Sequence, residues 1–220
     1  MPITSRAVAD SLLTSFKAAD RSDDPYRHWF LTDCFPDSAI PAVVDLPFPA
    51  PSLDGISGKR EVHNATRKYF DAGNRQAFPI VDAVAQALQS REITDTIENT
   101  FGTALAGTYL RIEYAQDTNG FWLEPHTDLG VKVFTCLLYL SDGPGHDKLG
   151  TDIYGPDKQH RGCSPFKVNG AMVFIPSDNT YHGFEERRIE GVRKSLIINY
   201  VTNEWRAREQ LAFPDQPIAG

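Results

Sequence analysis

Apolar residues at Val8, Leu12, Leu13 and Phe16 keep helical spacing across residues 5–19, which predicts an amphipathic helix near the start of the chain. Phe78, Val81, Val84, Ala85 and Leu88 repeat that spacing, and so do Ile93, Ile97 and Phe101, predicting two more helices on either side of Ser90. After Gly102 the pattern changes. Short apolar runs at 108–114, 131–140, 171–175, 180–184 and 195–201 are separated by Gly, Pro, Asn and Asp, as strands are. A further short strand is expected at 27–31. Helices first and strands afterwards make an α+β arrangement, and this strand spacing fits a sandwich or jelly roll.

Between the first helix and the second, Pro36, Pro41, Pro47, Pro49 and Pro51 exclude long regular structure and predict a covering segment wrapped over the core. With 220 residues and 41% hydrophobic content, the chain is expected to be a single domain: a helical and Pro-rich cover over 1–103 and a strand-built core over 104–203. The segment 142–163 contains Gly143, Gly145, Gly150 and Gly155 and is too long for a tight hairpin, so it is expected to be a mobile loop at a pocket mouth.

Charge narrows the partners. Twenty-two basic against 29 acidic residues give −7, which argues against a nucleic-acid binder. No apolar run approaches the ~20 residues of a membrane span, and the first residues lack the basic and apolar regions of a signal peptide, so a cytoplasmic protein is expected. Cys34, Cys136 and Cys163 are odd in number and widely spaced, as structural thiols are. The densest basic stretch, 59–75, includes Lys59, Arg60, His63, Arg67, Lys68 and Arg75; it is either a solvated face or part of an anion-binding pocket.

Candidate chemistry centres on His126-Thr127-Asp128. On a strand, residues i and i+2 share a face, so an imidazole and a carboxylate at this spacing can reach one metal ion. His182, which follows the apolar run 171–175, is the candidate third ligand. Two His and one Asp cover one face of an octahedral ion and suit non-haem Fe(II). Eleven residues beyond His182 stand Arg193 and Ser195, again on one strand face. A guanidinium fork beside a hydroxyl is what the far carboxylate of a dicarboxylate would need. His28, His63, His146 and His160 lack such a constellation and are expected in ordinary surface or core roles. Trp122 and Glu124 flank the motif and are candidates to face a substrate.

From about 110 to 201, the residues His126-Thr127-Asp128, His182 and Arg193-Lys194-Ser195 resemble the Fe(II)- and 2-oxoglutarate-dependent oxygenases, in particular their prolyl-hydroxylase-like branch. The resemblance implies a double-stranded β-helix (jelly-roll) core. It also implies iron on His126, Asp128 and His182, and the C5 carboxylate of 2-oxoglutarate on Arg193 and Ser195. Leu110-Arg111-Ile112-Glu113-Tyr114 resembles the strand preceding the motif, whose Tyr often touches the cosubstrate, so Tyr114 is carried over as a cosubstrate contact. Oxidation of 2-oxoglutarate to succinate and CO2 would then accompany hydroxylation of a substrate C–H by O2. The retained Asp128 favours hydroxylation over halogenation. A small anionic substrate is expected, closed over by 142–163 and attracted by the basic stretch. A peptide substrate, a zinc hydrolase and a silent binding module are the alternatives; desaturation, epimerisation or ring closure would use the same site.

Overall fold

The computed structural model describes residues 2–50 and 67–220. Helix α1, Ser5–Lys17, starts at Thr4, whose hydroxyl accepts from the Ala7 amide at 3.2 Å, and it buries Val8, Ala9, Leu12 and Phe16. Helix α2, Ala39–Val44, is a short turn within the Pro-rich segment, and α3, Ala72–Ala77, follows the undescribed residues. Helices α4, Pro79–Gln89, and α5, Arg91–Phe101, meet at Ser90, where the predicted break falls. α5 ends at Gly102, whose φ of 75° requires the left-handed conformation that glycine adopts without strain.

The strands are β1 Asp20–Ser22, β2 His28–Leu31, β3 Lys68–Tyr69, β4 Tyr109–Asp117, β5 Leu123–His126, β6 Lys132–Tyr139, β7 Asp152–Tyr154, β8 His160–Cys163, β9 Ala171–Phe174, β10 His182–Phe184 and β11 Arg193–Val201. They form two antiparallel sheets, a major one in the order β1-β2-β9-β6-β11-β4-β3 and a minor one in the order β5-β10-β7-β8. This is the expected α+β jelly roll with helices packed on it.

Alternation along β4 and β11 separates two apolar clusters. Leu110, Ile112, Tyr114, Leu196, Ile198 and Tyr200 turn outward and pack with α1, α4 and α5. Ala115 and Ile197 turn inward and meet Leu123, Ile153 and Phe184 of the minor sheet. Phe101 joins helices to sheet, with ring centroids 5.3 Å from Phe16 and 5.1 Å from Trp29. Truncating so enclosed a ring costs about 3–5 kcal/mol. The helical layer therefore serves as a rigid backing for the face of β4 and β11 opposite the one that carries chemistry.

The segment 142–163 differs from the expected loop. It holds a 3-10 turn at His146–Lys148 and the strands β7 and β8, half of the minor sheet. Gly150 serves close backbone approach: a Cβ there would lie 1.8 Å from Ser164 O. Among the described residues no helix is long and apolar enough to cross a membrane.

Candidate active site

His126 closes β5 and His182 opens β10, and the two are register partners. Gly183 permits this approach, because a Cβ there would stand 2.7 Å from Leu123 O and 3.1 Å from Glu124 O. The imidazole centroids are 4.4 Å apart. Each Nδ1 contacts a backbone carbonyl two residues earlier, His126 to Glu124 O at 2.9 Å and His182 to Thr180 O at 3.0 Å. A carbonyl only accepts, so Nδ1 carries the proton and Nε2 keeps the lone pair a metal needs. Burial pushes His182 down to about 4 although the Asp128 charge pulls the other way, so the ring is neutral near pH 7.

Asp128 reaches the two rings by a route other than strand alternation. β5 ends at His126, and the chain turns into β6 with the Lys132 amide donating to Leu129 O at 2.9 Å; Asp128 stands on that turn. Its side chain is 5% exposed, with Lys132 Nζ 2.5 Å from Oδ1 and the Thr135 hydroxyl donating to Oδ2 at 2.6 Å. Burial alone would raise this carboxyl, but the Lys132 charge, the His182 charge once that ring protonates at low pH, and the hydrogen bonds from Lys132 and Thr135 hold it well below the usual carboxylate range. The ligand atoms of His126, Asp128 and His182 all lie within 4.8 Å of one another. Two imidazoles presenting Nε2 and one ionised carboxylate form a donor set that fits Fe(II).

The three residues line a cavity of about 560 Å³ that also takes in Arg193, Ser195, Ile197, Leu137, Thr151 and Phe184. Arg193 is 4% exposed; its Nε donates to Leu149 O at 2.8 Å and its Nη1 to Asp117 Oδ2 at 2.5 Å. The guanidinium lies over Phe184, 4.7 Å from the ring centroid. Behind it, the Tyr139 hydroxyl bonds with Thr151 at 3.0 Å and Ser164 at 2.5 Å.

Tyr114 lies elsewhere. Adjacent strand positions face opposite ways, so a tyrosine next to the inward Glu113 and Ala115 must point outward. Its hydroxyl donates to Val44 O at 3.0 Å and its ring stacks edge-on with Phe48, outside the cavity. The expected cosubstrate contact by Tyr114 is corrected accordingly.

At the other end of the cavity stand Arg67, Arg111, Glu113, Lys132, Trp205 and Gln210. Arg111 is held by Gln210 at 3.0 Å, Asn199 at 3.1 Å and Glu113 at 2.8 Å, between the rings of Tyr69 and Trp205. Asn199 donates to the Thr135 hydroxyl at 2.9 Å, so hydrogen bonds run unbroken from Gln210 through Arg111, Asn199 and Thr135 to Asp128. Arg67 pairs with Glu113 at 3.2 Å. Of the basic stretch, 59–66 lie outside the described residues, Arg67 lines the cavity, Lys68 does not, and Arg75 pairs with Asp82 at 2.8 Å. Glu124 lines the cavity and Trp122 does not. His28, His146 and His160 bond to Tyr26 O, Glu190 O and Asp152 respectively, while His63 lies outside the described residues.

Sequence reasoning missed Lys132, Thr135, Thr151 and Asp117. The signal for Thr135 and Asp117 was strand alternation, since Thr135 shares a face with Leu137 and Asp117 is the cross-strand partner of Arg193. Thr151 was hidden within a segment taken for a loop.

No protein-family model matches the sequence, and no curated protein is significantly similar to it. Solved structures do match. A prolyl 4-hydroxylase from Phytophthora capsici aligns at a TM-score of 0.61 and 15% identity over 91% of this chain; the match spans 66% of that protein, just under two thirds of its length. A Trichoplax adhaerens prolyl hydroxylase, in complex with a hypoxia inducible factor oxygen degradation domain peptide fragment, aligns at 0.59 and 13% over 92% of this chain and 91% of its own. HygX from Streptomyces hygroscopicus, with nickel, 2-oxoglutarate and hygromycin B bound, aligns at 0.54 and 12% over 81% of this chain and 85% of its own. The chain shares the fold of these prolyl hydroxylases and of HygX.

Proposed function

We propose that this protein is an Fe(II)- and 2-oxoglutarate-dependent dioxygenase that hydroxylates an unactivated C–H of a small anionic metabolite. The observation that carries the reading is the meeting, in one cavity, of the two histidines and Asp128 with Arg193 and Ser195 a short way along the same barrel. Bound iron would supply O2 activation coupled to oxidation of 2-oxoglutarate to succinate and CO2. The chain's own residues provide the rest. Thr135 and Lys132 fix the Asp128 carboxylate. Arg193 and the Ser195 hydroxyl grip the far carboxylate of 2-oxoglutarate, while Leu137, Ile197 and Phe184 keep water from its methylenes. A zinc hydrolase would leave Arg193 and Ser195 without a task. The three free thiols fit a reducing, cytoplasmic setting.

The same fold serves a peptide in the Trichoplax enzyme and hygromycin B in HygX. A small anion is favoured by the outer cavity, where two guanidiniums, Arg67 and Arg111, share one carboxylate, Glu113. The test is mass spectrometry of a cell extract incubated with the protein, Fe(II), 2-oxoglutarate and air. A small acid gaining one oxygen atom, with equimolar succinate, is expected; succinate no higher than with the Asp128→Ala protein would contradict the proposal.

A further inference from the structure

We infer that Asp117 is a specificity-determining residue for the cosubstrate: by compensating Arg193, it sets how strongly the site demands a second carboxylate on the 2-oxo acid. This rests on the assignment of Arg193 to the far carboxylate. Asp117 and Arg193 face each other directly across β4 and β11, and both are buried, 5% and 4% exposed. Arg193 lines the cavity, whereas Asp117 stands behind it. Two of the five guanidinium N–H groups are committed, Nε–H to Leu149 O and one on Nη1 to Asp117, so the plane of the fork is pinned from two sides. Nη2 makes no hydrogen bond among the described residues, and neither does the Ser195 hydroxyl. What remains for a ligand is therefore the second N–H of Nη1, the two of Nη2 and one hydroxyl.

The electrostatics follow from the pairing. An isolated buried guanidinium would demand an anion, because a lone charge in a low-dielectric site is costly. Here Asp117 already meets that demand, so the arriving carboxylate enters a pair of zero net charge and feels repulsion from Asp117 as well as attraction from Arg193. The site gains a preformed donor edge and gives up part of its preference for a dianion. A 2-oxo acid with an apolar tail loses less here than at an uncompensated arginine, since Leu137, Ile197 and Phe184 line the same end.

Asp117→Asn keeps an oxygen that can accept from Nη1 while removing the charge, so it separates the two roles. The affinities of 2-oxoglutarate and 2-oxopentanoate are measured on Fe(II)-loaded protein without oxygen, through the visible chelate band. The variant is expected to raise the preference for 2-oxoglutarate over 2-oxopentanoate by about tenfold, the scale of one nearby charge at partial screening. Loss of structural support alone would weaken both acids equally and leave the ratio unchanged; an unchanged or reduced ratio overturns the inference. Asp117→Ser, also uncharged and able to accept, is expected to move the ratio in the same direction and decides the matter if the Asn variant does not fold. If neither acid gives a band with the wild-type protein, the cosubstrate reading falls and this inference with it. Bands from both acids, with a ratio insensitive to Asp117, overturn the role of Asp117 alone.

Discussion

His126 and His182, 56 positions apart in the chain, sit opposite each other across β5 and β10 with ring centroids 4.4 Å apart, each with Nδ1 at the backbone carbonyl two residues before it. One device is thus used twice: the strand sets the spacing and the local carbonyl sets the tautomer. Both imidazoles have their tautomer set by a backbone carbonyl, and the carboxylate is the ligand held by side-chain hydrogen bonds.

That dependence falls on Thr135, which joins Asp128 to Asn199 and Arg111. Thr135→Val keeps the shape and removes the hydroxyl, and it is expected to weaken Fe(II) binding by about 10–100-fold, the usual scale for such outer partners. Thr135→Ser should restore most of it. Competition with a chromophoric chelator measures both, and equal affinities in the Val and wild-type proteins would remove Thr135 from the account.

Arg193→Lys retains a charge but cannot reproduce contacts to Leu149, Asp117 and a ligand at once. It is expected to weaken 2-oxoglutarate by roughly 1–3 kcal/mol, the scale of charge-assisted hydrogen bonds. Iron affinity should change little. Arg111 is a poor substitute because Gln210, Asn199 and Glu113 already hold it. Isothermal titration of the metal-loaded protein checks this, and an unaltered affinity would place the carboxylate elsewhere.

The metal-free protein should lose stability between pH 6.5 and 4. Burial lowers His182 to about 4, so over that window the unfolded chain binds a proton that the folded chain refuses, and stability rises with pH. The Asp128 carboxyl, held below the ordinary carboxylate range, adds stability above its unfolded value that is lost as pH falls further. At ~1.4 kcal/mol per unit, His182 contributes up to about 3 kcal/mol of this slope. Thermal melts at pH 7, 5.5 and 4.5 should show a falling Tm and a shallower fall for His182→Asn. A flat profile would contradict the burial of a neutral ring.

Arg67 and Lys68 are neighbours in sequence with different positions: Arg67 lines the cavity and Lys68 does not. Arg67→Glu is therefore expected to raise the substrate KM several-fold without increasing uncoupled consumption of 2-oxoglutarate, while Lys68→Glu leaves KM nearly unchanged. Equal effects would indicate a diffuse field and no specific subsite.

The helices and the strands of the major sheet were legible because each carries one apolar face at the right period: Val81, Val84, Ala85 and Leu88 on α4, and Leu196, Ile198 and Tyr200 on β11. The motif residues were legible because Arg193 and Ser195 do alternate on one strand, although His126 and Asp128 meet by a turn that the two-residue spacing cannot distinguish from a strand. The minor sheet was hidden. β7 and β8 are three and four residues long and lie among glycines, one of which, Gly150, is required by backbone proximity, so their composition is that of a loop. Tyr114 was carried over by resemblance alone, whereas the alternation of Leu110, Ile112 and Tyr114 with Arg111 and Glu113 puts it on the apolar outer face of β4. Lys132 takes its role from tertiary proximity, which spacing along the chain does not encode.

The most direct measurement of the central claim is an anaerobic titration of 2-oxoglutarate into the Fe(II)-loaded protein, followed by visible absorption. The account predicts a weak charge-transfer band saturating at one equivalent per chain, abolished by His126→Ala, Asp128→Ala and His182→Ala separately. A band that survives all three substitutions, or none in the wild-type protein with iron demonstrably bound, would contradict it.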